Sequence, residues 1–114
     1  MERDQTLSWA DFEKVDIRVG TVLEAEEFKE ARRSAYKMKV DFGELGILKT
    51  SAQITDIYKP EDLPGTQVVA VVNFPPKQIA NIMSECLVLG AVDAGGKVVL
   101  LRPDKEVENG LRVS

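Results

Sequence analysis

The chain has 114 residues, 44% hydrophobic and 30% charged, with fifteen basic against nineteen acidic side chains and a net charge of −4. That balance is typical of a globular unit with one modest core and leaves no room for a second catalytic domain. One cysteine and no histidine exclude an internal disulfide, a Cys/His zinc site within one chain and a histidine proton shuttle.

Residues 1–7 are mostly polar and partly acidic and are expected to form a flexible tail, with no apolar stretch of signal-peptide length. Ser8, three residues before Asp11, resembles a capping box, so a short helix is expected over residues 8–15. From Val15 the period becomes two. Val15, Ile17, Val19, Thr21, Leu23 and Ala25 fall on one face, and Asp16, Arg18, Glu24 and Glu26 on the other, with Val22 breaking the polar face. Gly20 marks a place where such a strand would bend or bulge. Residues 27–34 read as a charged loop containing Phe28.

Tyr36, Met38, Val40 and Phe42 alternate with Lys37, Lys39 and Asp41, which predicts a half-buried strand. Glycines at 43 and 46 suit a turn, and a return strand is expected over residues 47–51. Ile54, Ile57 and Tyr58 predict one or two helical turns that stop at Pro60. After a Pro64-Gly65 turn, residues 67–74 read as a strand buried on both faces. Strands are expected at residues 87–92 and 97–102 around an Asp93-Ala94-Gly95-Gly96 turn, and Asn109-Gly110 signals another. Five or six short strands, with a short helix at the N-terminus and another between strands three and four, give an all-β class and the element order of a five-stranded Greek-key oligonucleotide/oligosaccharide-binding (OB) barrel. The apolar runs are too short to span a membrane, so a cytoplasmic protein without membrane insertion is expected.

Charge is unevenly placed. Between residues 29 and 49 the chain carries Lys29, Arg32, Arg33, Lys37, Lys39 and Lys49 against Glu30, Asp41 and Glu44, a local balance of +3, which leaves −7 for the rest. In an OB barrel the second and third strands and their flanking loops form the usual ligand face. That face would gather Arg32, Arg33, Lys37, Lys39, Lys49 and Lys77. The competing reading is that alternating lysines merely solvate a strand. Seven aromatics, mostly alternating inward, favour recognition of folded RNA through phosphates and 2′-hydroxyls over base stacking.

Four segments carry a family resemblance: Asp16-Ile17-Arg18-Val19-Gly20-Thr21-Val22, Lys49-Thr50-Ser51-Ala52-Gln53-Ile54-Thr55, Val71-Val72-Asn73-Phe74-Pro75-Pro76-Lys77-Gln78-Ile79-Ala80 and Ser84-Glu85-Cys86-Leu87-Val88-Leu89-Gly90. In this order and spacing they resemble the CsaA proteins of the tRNA-binding-domain superfamily, from about Phe12 to Gly110. The resemblance implies one tRNA-binding-type OB domain over residues 1–114, a symmetric homodimer, binding of tRNA or similar structured RNA, and a chaperone role in preprotein export. It adds Ser51, Gln53, Asn73, Ser84 and Glu85 to the candidate RNA contacts. Asn73, Ser84 and Glu85 fit equally well a role in satisfying backbone groups at the barrel end. Synthetase-linked relatives read Ser-Glu-Gly-Met in the last segment, where this chain has Cys86 and Leu87. Cys86 is expected to be a small buried apolar residue.

A peptide-binding export chaperone with little RNA affinity is the second reading, drawing on Val22, Phe28, Phe74 and Ile79 as apolar surface. An enzyme is the weakest. No nucleophile elbow, phosphate loop or metal-ligand cluster appears, and no cofactor or metal is expected.

Overall fold

The computed structural model describes residues 6–114; most of the expected flexible tail, residues 1–5, lies outside them. Helix α1 spans Trp9–Glu13, shorter than expected, with the Ser8 hydroxyl accepting the Asp11 amide at 3.1 Å. Strand β1, Ile17–Glu27, runs antiparallel to β2, Tyr36–Asp41, and on its other edge to β4, Gln67–Val71. A turn over Gly43–Leu45 leads from β2 to β3, Ile47–Ala52.

The expected inward face of β1 is corrected by its register. Between Val22 and Glu24 the pairing with β2 slips by one residue, leaving Leu23 as a bulge. Because a one-residue slip exchanges the faces of a strand, Val22 is 0% exposed in the core, Leu23 is exposed, and Ala25 returns inward beyond the bulge. Val22 therefore offers no surface to a partner. Gly20 is not the bulge. A Cβ there would lie 2.7 Å from Val40 and 2.8 Å from the Phe42 ring, so glycine lets the strands close on the core.

Inward alternation on β2 is as expected, with Tyr36, Met38, Val40 and Phe42 all buried. Burying the β2 face against Leu63 and Val68 makes the centre of the core. The Tyr36 hydroxyl donates to the Tyr58 carbonyl at 2.6 Å, and the Tyr58 hydroxyl accepts the Leu100 amide at 2.9 Å. Phe28, expected on the surface, is 3% exposed.

The helix expected before Pro60 is absent. A single 3₁₀ turn, Pro60–Asp62, starts at the proline instead, where the fixed φ suits a first helical position and the missing N–H is not needed. The expected strand over residues 67–74 stops at Val71. Beyond it is an unexpected hairpin of β5, Lys77–Ile79, and β6, Ile82–Ser84, turning on Ala80 with φ 49°. The strand expected over residues 87–92 divides into β7, Leu87–Val88, paired with β4, and β8, Gly90–Val92, paired with β9, Val98–Leu100.

The five-stranded sheet has the order β3-β2-β1-β4-β7, and residues 84–86 hydrogen-bond to the open edge of β3, giving the nearly closed barrel of the OB topology. The segment from Val107 to Val113 lies along the start of β1 and β4. The Gln67 amide group both donates to the Val107 carbonyl at 2.7 Å and accepts its N–H at 3.1 Å. Val19 donates to the Leu111 carbonyl at 3.0 Å, and Arg18 donates to the Gly110 carbonyl at 3.0 Å while pairing with Asp16 at 2.6 Å.

Candidate nucleic-acid interface

Since β2 turns its apolar residues inward, Lys37 and Lys39 project outward. Lys39 stands directly opposite Lys49 of β3, and Lys37 directly opposite Ser51. Residues facing each other across an antiparallel pair share a face, so Lys39 and Lys49 repel, a cost that a bound anion would relieve. On the other side of β2, Glu26 is opposite Lys37 and Glu24 is opposite Lys39, with ion pairs of 3.4 and 3.8 Å. These carboxylates were missed as partners, although the shared outer face of the two strands was the signal for them. Glu24, Glu26, Lys37, Lys39 and Lys49 line a groove of about 180 Å³ together with Met38 and Ile82. The Lys37 ammonium lies 5.6 Å from the centre of the Phe28 ring, a cation–π distance.

A second groove, about 710 Å³, collects residues from three elements: Arg32 and Arg33 from the loop after β1, Ser51 and Gln53 from the end of β3, and Lys77 from β5. The unexpected hairpin is what carries Lys77 and Gln78 to this wall. Glu30 contributes one opposing charge. Arg32, Arg33, Lys49 and Lys77 are exposed, and none forms an ion pair among the described residues. Through the Lys37 to Ser51 pairing the two grooves adjoin. The larger is the less neutralised, and the only one of the two that presents guanidinium groups, whose planar forks suit phosphate oxygens.

The remaining candidates hydrogen-bond to backbone groups of the barrel. Asn73 lines neither groove; its carbonyl oxygen accepts the Asp16 amide at 3.0 Å and its amide nitrogen donates to the Lys14 carbonyl at 2.7 Å, holding the entrance of β1. The Ser84 hydroxyl accepts the Ser51 amide at 3.4 Å, and Glu85 accepts the Lys49 amide at 2.9 Å. Thr50, buried, donates to the Cys86 carbonyl at 2.8 Å. Cys86 is buried as expected, and desolvation pushes its thiol from 9.0 up to about 11, with Glu85 adding to the rise and the Thr50 hydrogen bond opposing it.

Apolar surface lies elsewhere. Trp9 is 83% exposed on α1 beside exposed Leu7; on the β8–β9 hairpin Val92 is 66% exposed on one face and Val99, opposite Ala91, is exposed on the other, with Leu101 exposed just beyond. Phe74 is exposed, while Ile79 is half-buried in the wall of the larger groove. No helix among the described residues is long and apolar enough to cross a membrane.

Residues 17–112 match the family described as "Putative tRNA binding domain". The chain is 40% identical over 112 residues to the methionine–tRNA ligase of Bdellovibrio bacteriovorus, covering 98% of this chain and 16% of the ligase. It is 46% identical over 99 residues to that of Methanothrix thermoacetophila, covering 87% of this chain and 14% of the ligase. Thus it spans about one-sixth of the length of the first and less of the second. The crystal structure of the chaperone CsaA from Bacillus anthracis superposes with a TM-score of 0.92 at 55% identity, covering 96% of this chain and all of that one. The CsaA chaperone protein of Picrophilus torridus gives 0.88 at 50%, with coverage of 96% and 100%. A barrel with this topology, matched by the family model from the first residue of β1 to the C-terminal bridge at Arg112, belongs to the tRNA-binding domain family and has the fold of the CsaA chaperones.

Proposed function

We propose that the chain is a non-catalytic, cytoplasmic RNA-binding module that grips the backbone of tRNA or a similarly folded RNA, acting as a two-fold homodimer. The observation that carries this reading is the meeting of Arg32, Arg33 and Lys77, without ion-pair partners among the described residues, around one groove with Ser51 and Gln53. The cations attract phosphate, and the hydroxyl and amide groups match 2′-hydroxyls. Neither exposed Trp9 nor exposed Phe74 lines this groove, so it has no stacking platform for unpaired bases. Shape and backbone are then the determinants. Lys49 extends the surface, beside Lys37 and Lys39, which are paired with Glu26 and Glu24; Asn73, Ser84 and Glu85 contribute by holding the barrel that presents it.

Binding of tRNA measured across a salt series tests this reading. The triple variant Arg32→Gln, Arg33→Gln, Lys77→Gln should bind more weakly, with the slope of log affinity against log salt reduced by about 0.7–0.9 for each phosphate that is no longer neutralised. The pair Lys97→Gln, Lys105→Gln lines neither groove and should have little effect. Equal losses from both sets would overturn the reading.

The second reading, a preprotein-binding chaperone linked to export, is supported by the apolar surface of Leu7, Trp9, Val92 and Val99 and by the likeness to CsaA chaperones. The homodimer would cover part of that surface, since a two-fold contact uses the same patch on both subunits. Light scattering separates these outcomes: a dimer mass that falls to a monomer with Trp9→Glu assigns α1 to the interface. A monomeric wild type that binds unfolded polypeptide through Trp9 favours the chaperone.

A further inference from the structure

We infer that Glu24 and Glu26 restrain RNA binding by occupying Lys39 and Lys37, confining the RNA backbone to the arginine groove and limiting affinity. This rests on the RNA-binding reading above and names the residues that set its footprint.

Each carboxylate is directly across the strand pair from the lysine it holds, at 3.8 Å for Glu24 and 3.4 Å for Glu26. Their side chains are 66% and 69% exposed, against 50% for Lys39 and 30% for Lys37. The acids are therefore more exposed side chains than the lysines they neutralise. A phosphate approaching this part of β2 meets exposed negative charge beside each lysine, well within the roughly 8 Å screening length at physiological salt.

Without the two acids, Lys37, Lys39 and Lys49 would form an uncompensated row. The row joins the larger groove where Lys37 faces Ser51. Phe28 lies against Lys37, so the lysine stays placed when its partner is removed. Exposed ion pairs contribute little to folding, about 0–1 kcal/mol, so the pairs can be broken while the barrel stands.

The test compares Glu24→Gln, Glu26→Gln with wild type for tRNA binding across a salt series, with thermal melts as a check on folding. Each ammonium released to a phosphate should steepen the salt slope by about 0.7–0.9, which at 0.15 M salt is a gain of about fivefold in affinity. Adding Lys37→Gln and Lys39→Gln should abolish that gain, while the same lysine changes alone should weaken binding, because they leave Glu24 and Glu26 without their cations. Asp104→Asn, Glu106→Gln alters net charge equally but lines neither groove. An equal gain from this control, or an unchanged slope in the glutamate variant, would overturn the inference while the arginine-groove reading stands on its own triple variant. Absence of tRNA affinity in wild type and in every variant would overturn both.

Discussion

Lys49 and Glu85 close the barrel by exchanging two hydrogen bonds: the Glu85 amide donates to the Lys49 carbonyl at 2.8 Å, and the Lys49 amide donates to the Glu85 carboxylate at 2.9 Å. A side-chain oxygen stands where an antiparallel ladder would use a carbonyl. Glu85→Ala should therefore cost about 1–3 kcal/mol in urea unfolding, because it strips a charged acceptor from a backbone donor. Glu85→Gln keeps a carbonyl acceptor and should lose less. At temperatures where the variant is folded, its tRNA affinity should match wild type; a selective loss of affinity would return Glu85 to the interface.

Gly20→Ala should destabilise the fold by about 1–3 kcal/mol, since its methyl would press on Val40 and Phe42 in a filled core. A denaturant midpoint unchanged from wild type would show that the wall of β1 is looser than its packing implies.

Cys86 should resist thiol reagents at pH 8 in the folded protein and react fully in denaturant, because it is buried and its neutral form is favoured. A thiol raised in the folded state contributes stability that is fully present below 9.0 and is lost as pH rises through about 11. The loss from this group amounts to about 3 kcal/mol at most. Cys86→Ala should lack this portion of the alkaline decline, measured as the difference between the two pH profiles.

Ala80 holds a φ of 49° at the tip of the β5–β6 hairpin, a conformation that crowds a Cβ. Ala80→Gly should raise stability by about 0.5–1 kcal/mol, the relief exceeding the added entropy of the unfolded chain. A lower melting temperature would contradict this.

How much of this was legible varies by element. On β2 strict alternation over Tyr36, Met38, Val40 and Phe42 left one possible face for the core, and the lysines followed. The phase of β1 was not legible, because the bulge at Leu23 exchanges the two faces midway and nothing in the local pattern marks it. The β5–β6 hairpin escaped notice because its turn, Ala80-Asn81, carries no glycine. Arg32, Arg33, Ser51 and Gln53 nevertheless meet in one groove, since loop and strand order bring them to the same wall, which Lys77 reaches only through that hairpin. Asn73 and Glu85 were ambiguous for a physical reason: a polar side chain at a strand end can serve backbone or ligand, and only the closed barrel shows which backbone groups await a partner.

The pairing of β1 with the C-terminal tail has a consequence for synthesis. Arg18 and the Gly110 carbonyl it binds are 92 residues apart, and Val19 shares its backbone hydrogen bonds with Gly110 and Leu111. At about 5–20 residues per second, a ribosome needs several seconds or more to make the segment that completes this edge. Throughout that interval β1 emerges with an open edge, which nearby chaperones or a neighbouring nascent chain could occupy. Maturation of the barrel is thus timed by translation of its last residues, and slowing the ribosome between β4 and residue 107 should lengthen the period of vulnerability to aggregation.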